Sequence, residues 1–191
     1  LSSTQAAQVL LVEIGPGQGE LLSLLREARP AWTFVAVEPR VEFRESLTEL
    51  GFPAVDSIAQ LPSIAVQFSV PQRFEEIIFV LDNVLEHICN PVGALREVAG
   101  LGQRISARTR ILIEVPNEQG LRRRARIQDF LRGTPKPPTF AGHVNLFEEP
   151  SLRQVAAQAS MRKVEVVRHP IREADQVRYT MRVEHLPGLV H

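Results

Sequence analysis

Short apolar runs alternate with stretches of helical period along the chain. The first run, Val9-Leu10-Leu11-Val12, stops at Glu13. Four apolar residues without polar alternation read as a strand buried on both faces. Gly15-Pro16-Gly17-Gln18-Gly19 follows and is a turn by composition. Leu21, Leu22, Leu24 and Leu25 recur at helical spacing, and Pro30 closes that helix. Phe34-Val35-Ala36-Val37 predicts a second buried strand, ending at Glu38-Pro39. Residues 41–50 predict a helix with Phe43, Leu47 and Leu50 on one face and Gly51 as its stop. A weak strand covers Phe52 to Val55, and residues 59–74 show no clear period.

The pattern continues beyond that gap. Ile77-Ile78-Phe79-Val80-Leu81 is a strong strand. Asn90-Pro91 opens a helix, with Asn as the cap and Pro at the first helical position. Ala94, Leu95, Val98 and Leu101 mark its apolar face. Ile111-Leu112-Ile113 is a buried strand running out at Glu114-Val115-Pro116-Asn117. Residues 119–131 predict a basic helix, and the three prolines between Gly133 and Gly142 predict a loop. A helix from Leu152 to Ser160 and a strand at Val164 to Val167 follow. Val177, Tyr179, Met181 and Val183 alternate with Arg178, Thr180 and Arg182. That period of two predicts a final antiparallel strand at an edge of the sheet, with one wet face. Strands alternating with helices define an α/β fold, a doubly wound, mostly parallel sheet with an antiparallel C-terminal strand.

Composition narrows the class. The 191 residues suit a single domain. Basic and acidic residues number 22 each, which argues against nucleic-acid binding by bulk charge. The balance is uneven: residues 1–99 hold 6 basic and 13 acidic side chains, and residues 100–191 hold 16 and 9. Two readings stand, namely halves that face different ligands or charged surfaces that attract within one domain. No apolar run reaches the roughly 18 residues of a membrane span, and no secretory signal is visible. Cys89 is the only cysteine, which excludes an intrachain disulfide and points to a reducing, cytoplasmic setting. The sequence opens on Leu1 rather than Met, as a processed chain or a piece of a longer one would.

Ligands of doubly wound sheets bind at the carboxyl ends of the strands. There stand the glycine turn, Glu38, the segment Asp82 to His87, and Glu114 to Asn117. The glycines allow a tight turn and close approach of a ligand to the backbone. Glu38, 23 residues after Gly15, can accept hydrogen bonds from both hydroxyls of a ribose. The spacing departs from the dinucleotide fingerprint G-x-G-x-x-G, because Glu20 stands where the third glycine belongs. Glu13 before the turn would repel a pyrophosphate and favour a cationic ligand. The features together predict an adenosine-containing ligand that is not a dinucleotide.

Val12 to Gly19, an acidic residue followed by G-x-G-x-G, resembles the first motif of class I S-adenosylmethionine-dependent methyltransferases. Leu81-Asp82-Asn83-Val84-Leu85-Glu86-His87-Ile88 resembles the N-V-L-E-H segment of a branch acting mostly on small molecules and sugars. Ile113 to Asn117 resembles that branch's next strand end, and His143-Val144-Asn145-Leu146-Phe147 its H-x-x-x-F stretch. The resemblance implies a Rossmann-like methyltransferase fold with S-adenosylmethionine as cofactor. It implies a floor of Gly15, Gly17 and Gly19 under the methionine and ribose portions. Glu13 would hold the turn and reach the amino group through water, and Glu38 would bind the ribose. Asp56 or Ser57 would lie near the adenine, and Asn83 near the methionine portion. Three departures stand out. Glu75 replaces the usual Asp, the K-P-G-G turn gives way to Gly100-Leu101-Gly102 and a basic stretch to Arg110, and only residues 1–8 precede the first strand. The last departure implies that an N-terminal lid was lost or that further domains of a longer chain supply it.

A hydroxyl or amine acceptor must lose a proton, and histidine is the usual base near neutral pH. His87 and His143 are the candidate bases; the bland reading of each is a loop histidine that holds its turn. The resemblance allows a metal at Glu86, His87 and His143, since some relatives bind a divalent ion there, but no two histidines are spaced as ligands on one helix and no metal is expected. Arg122, Arg123 and Arg126 share one helical arc and form a solvated face, whereas Arg124 falls in the apolar arc. A buried-side arginine needs an anion. Arg124 is therefore expected at the substrate mouth, with Asn117 at the preceding strand end, facing a carboxylate or phosphate. An internal acid is the bland partner for Arg124. The leading expectation is a methyltransferase with a small-molecule acceptor, such as a sugar or another anionic metabolite. The alternatives are a non-catalytic interaction module and an RNA methyltransferase.

Overall fold

The computed structural model describes residues 8–63, 74–116, 131, 142–171 and 176–185. The first half builds β1 (Val9–Ile14), α1 (Glu20–Ala28), β2 (Thr33–Val37), α2 (Val41–Glu49) and β3 (Ala54–Val55). Then come β4 (Phe74–Asp82), α3 (Pro91–Ile105), β5 (Ser106–Pro116), α4 (Glu149–Gln158), β6 (Arg162–Ile171) and β7 (Gln176–His185). The seven strands form one sheet in the order β3-β2-β1-β4-β5-β7-β6. Strands β1 to β5 are parallel, and β7 runs antiparallel to both β5 and β6.

The apolar run of β1 divides between two cores, as a strand covered on both faces requires. Leu10, Val12 and Ile14 pack with Leu95, Val98 and Leu101 of α3 and Leu152 and Ala156 of α4. Val9 and Leu11 pack with Leu22 of α1, Leu47 of α2 and Phe52. Asn90 Oδ1 accepts the Gly93 amide at 2.9 Å, so the predicted cap opens α3. Gly51 ends α2 with φ +80°, in the left-handed region that suits glycine.

Two expectations need correction. The alternating strand β7 is antiparallel but not at the edge: it lies between β5 and β6, and β6 takes the edge. Alternation reports a wet face, and a wet face occurs inside a sheet as well as at its rim. The Gly100-Leu101-Gly102 stretch lies within α3, as Leu101 on its apolar face predicts, and Leu101 and Gly102 are buried. The basic stretch behind it begins β5, which pairs with β4 from Phe74↔Ser106 onward. The strand, 11 residues long, thus runs well beyond the apolar Ile111-Leu112-Ile113, because charged residues occupy its entry. Arg110 there forms an ion pair with Glu76 of β4 at 2.6 Å. The expected helix at 119–131 lies outside the described residues, except for exposed Leu131.

Candidate active site

The register of β1 and β4 sets the chemistry at their ends. Glu13 lies beside Val80, so Asp82, two residues on, points to the same face. Glu114 pairs with Asp82 and extends the row to β5. Three adjacent strands therefore end in carboxylates on the face that carries α1. Glu13 is only 4% exposed, and its Oε2 has no hydrogen-bond partner among the described residues. Burial, and then the charge of Asp82, push its pKa up to about 7.

Beyond Ile14 the chain turns through three glycines. Gly15, Gly17 and Gly19 all have positive φ, at 69°, 55° and 79°. A Cβ on Gly15 would sit 2.7 Å from Val84 Cγ2, and one on Gly19 would sit 2.6 Å from Leu47 Cδ2. A Cβ on Gly17 would meet nothing within 4 Å, so this glycine faces open space. Glu38, 4% exposed at the end of β2, accepts the Gly17 amide at 3.2 Å and the Arg40 amide at 2.9 Å. The turn-holding bond expected from Glu13 thus comes from Glu38. Glu13, Gly15, Gly17, Gln18, Phe43 and Asp82 line a cleft of about 350 Å³. Glu20 sits in the first turn of α1, where a helix that binds phosphate would leave the positive end of its dipole bare.

The end of β4 shapes the opposite wall. Asn83 adopts φ +53°, donates its amide to the Glu114 carbonyl at 3.0 Å, and gives Nδ2 to Asp82 Oδ1 at 2.7 Å. A turn at Leu85–His87 follows. His87 Nδ1 lies 2.9 Å from the Gly142 carbonyl, and the His87 and His143 rings meet edge to face with centroids 4.5 Å apart. A carbonyl can only accept, so Nδ1 of His87 carries the proton and Nε2 the lone pair. One ligand atom from each of Glu86, His87 and His143 lies within 4.8 Å of the others.

The structure therefore gathers Glu13, the three glycines, Glu38 and Asn83 at the carboxyl ends of β1, β2 and β4. Exposed Asp56 and half-buried Ser57 stand at the same end of β3. His87 and His143 meet each other. Asn117 and Arg124 lie outside the described residues. Sequence reasoning gave no role to Phe43, placed Asp82 only within a segment at the strand ends, and named Glu86 only together with His87 and His143. Asp82 was within reach, as an acid ending a strand next to Glu13. The edge-to-face packing of His87 on His143 was not, since the two stand 56 positions apart in the sequence.

Residues 5–166 match the family described as "Methyltransferase domain", and the chain belongs to it. No curated protein sequence matches the chain. Among solved structures it is similar to a SAM-dependent methyltransferase from Archaeoglobus fulgidus, with 17% identity and a TM-score of 0.57, covering 95% of this chain and 87% of that one. It is also similar to the 1,6-didemethyltoxoflavin-N1-methyltransferase of Burkholderia thailandensis, solved with its substrate and S-adenosylhomocysteine. That match has 16% identity and a TM-score of 0.60, and covers 94% of this chain and 72% of that one. A third similar structure is a pericyclic reaction enzyme, at 18% identity and a TM-score of 0.58; this chain spans 45% of its length. Likeness at these identities shows the fold, a Rossmann-like methyltransferase sheet. Among the described residues no helix is long and apolar enough to cross a membrane.

Proposed function

We propose that this protein transfers a methyl group from S-adenosylmethionine to a hydroxyl or amine of a small molecule. The observation that carries the reading is Glu13, a buried carboxylate with an unpartnered oxygen in the wall of the glycine cleft. Such a group favours a cation. S-adenosylmethionine brings a sulfonium and an ammonium, and the repelled alternative is a pyrophosphate. Glu38 takes the ribose hydroxyls, and Gly15, Gly17 and Gly19 form the floor. Asn83 borders the methionine portion, and Asp56 or Ser57 borders the adenine.

Methyl transfer from a sulfonium is an in-line displacement, in which the protein supplies position and excludes water. The acceptor's proton goes to the histidine pair. The Gly142 carbonyl fixes the tautomer of His87 and leaves Nε2 as the proton-accepting atom. Arg124 and Asn117 are assigned to the acceptor, Arg124 for a carboxylate or phosphate on it. Bound substrate in the Burkholderia relative supports a small-molecule acceptor, and the lone Cys89 thiol suits the cytoplasm.

Calorimetric titration with S-adenosylmethionine and S-adenosylhomocysteine tests the reading on wild type and Glu38→Ala. Two hydrogen bonds to a charged group are worth about 1.5–3 kcal/mol each, so affinity should fall by at least tenfold. No binding to the wild type would refute the reading and leave an interaction module. Binding that Glu38→Ala leaves unchanged would remove the ribose assignment.

A further inference from the structure

We propose that Asn145 is a positioning residue for the proton-accepting step: it grips the backbone on both sides of His87, so that the imidazole keeps one tautomer and one direction. The proposal rests on the methyl-transfer reading above, in which His87 Nε2 receives the acceptor's proton.

His87 closes the short turn Leu85–His87, and its side chain is exposed. An exposed imidazole samples several rotamers, and its proton moves freely between the two nitrogens. Three contacts from residues 142–145 remove that freedom. The Asn145 amide donates to the Glu86 carbonyl at 3.0 Å, and its side-chain Nδ2 donates to the Ile88 carbonyl at 2.6 Å. One residue thus holds the carbonyls on either side of His87. The third contact is the Gly142 carbonyl, 2.9 Å from Nδ1 of the ring. Gly142 has φ +84°, a backbone conformation open to glycine and strained for other residues. The His143 ring, packed edge to face with that of His87, supports the imidazole from a further side.

The gripping segment is itself fixed. Phe147, two residues beyond Asn145, is 4% exposed and packs in the core with Leu95 of α3 and Leu152 of α4. The Glu148 amide donates to Ser151 Oγ at 2.8 Å where α4 begins. Asn145 therefore carries the rigidity of core and helix to an exposed ring, the support that a precise site requires. The chemistry calls for asparagine here. A carbonyl only accepts, so the group facing Ile88 must donate. Aspartate has nearly the same shape but sets acceptor against acceptor. In the reaction the acceptor's lone pair bonds to the methyl carbon while the carbon–sulfur pair moves to sulfur, leaving a neutral thioether. The acceptor's proton passes to Nε2, and the imidazolium so formed returns a proton to solvent. Asn145 touches none of the reacting atoms and acts through His87.

The test reads the His87 ring by long-range proton–nitrogen NMR correlation on the whole nitrogen-labelled chain, at about pH 8.5, above the range in which imidazoles titrate. His87→Gln identifies the signals by their loss. Wild type should show a protonated Nδ1 and a bare Nε2. Asn145→Asp should move both nitrogen shifts toward the averaged values of free histidine while leaving S-adenosylhomocysteine affinity unchanged. Arg26→Ala is the control: it removes a comparable side-chain bond, to the Leu50 carbonyl between α1 and the end of α2, and should leave the His87 signature as in wild type. Thermal melts of both variants confirm folding, and Asn145→Ala, which keeps the backbone amide, serves if Asn145→Asp does not fold. A wild type whose Nε2 carries the proton, an Asn145 variant with wild-type shifts, or an equal change in Arg26→Ala would overturn the proposal. Failure of wild type to bind S-adenosylhomocysteine would instead remove the methyl-transfer reading, an outcome that the ring shifts keep distinct from loss of the grip.

Discussion

Replacing Glu13 by Gln should make the protein more stable and a poorer binder at once. The carboxyl titrates at about 7 in the folded chain against 4.5 ordinarily, because burial and then Asp82 oppose its charge. At 1.36 kcal/mol per pKa unit, the ionised form costs the fold about 3 kcal/mol. The direction follows from proton linkage. The native state holds this proton to higher pH than the unfolded state does, so the penalty is absent below pH 4.5. It grows as pH rises toward 7 and is complete above that. Glutamine keeps the shape and never ionises. Urea denaturation should find Glu13→Gln equal to wild type near pH 4.5 and more stable by about 3 kcal/mol at pH 8. In a chain of this size that is a rise in Tm of roughly 6–12 °C. S-adenosylhomocysteine should bind wild type more tightly as pH climbs through 7, since its ammonium favours the ionised carboxylate, and should bind the variant weakly with no such slope. A stability difference that does not change with pH, or a variant less stable at pH 8, would refute the argument.

Other consequences can be measured directly. Gly15→Ala should cost more stability than Gly17→Ala. Both residues have positive φ, worth roughly 1–2 kcal/mol against alanine, but only the first collides with Val84; thermal melts of the pair decide it. Gly17→Ala should instead lose cofactor affinity, because its methyl projects into open space beside the cleft. Asn90→Ala removes the cap of α3 and should lower stability by about 1 kcal/mol without altering cofactor binding. Arg124→Ala should raise KM for an anionic acceptor with kcat little changed; an unchanged KM would remove Arg124 from the substrate site.

The parallel half of the fold was open to reading because its signals are local. Uninterrupted apolar runs such as Val9 to Val12 and Ile77 to Leu81 belong to strands covered on both sides, and punctuation by glycine and proline marks where they stop. The gathering of Glu13, Gly15 and Glu38 was legible for the same reason: topology places strand ends together, so these residues needed only their positions in sequence. What escaped depends on partners far along the chain. Nothing in the alternation from Val177 to Val183 says that the strand enters between β5 and β6, because register and neighbour are set by pairing across the sheet. The same holds for the ring contact of His87 with His143, which forms because the backbone of residues 142–145 docks on the turn after β4. Arg108 and Arg110 hid the first half of β5, since charged side chains break an apolar run without breaking a ladder.

The insertion of β7 sets order of synthesis against order in space. Strand β5 leaves the ribosome long before the strand that pairs with it, because Thr109 meets His185 and Pro116 meets Arg178. Until residues 176–185 emerge, one side of β5 is an open row of amides and carbonyls next to the hydrophobic interior, the arrangement through which unfinished sheets join one another. Pairings of such long sequence separation form slowly. The nascent protein therefore passes through a vulnerable interval that ends only when β7 arrives, and chains interrupted before Gln176 should be the ones that aggregate.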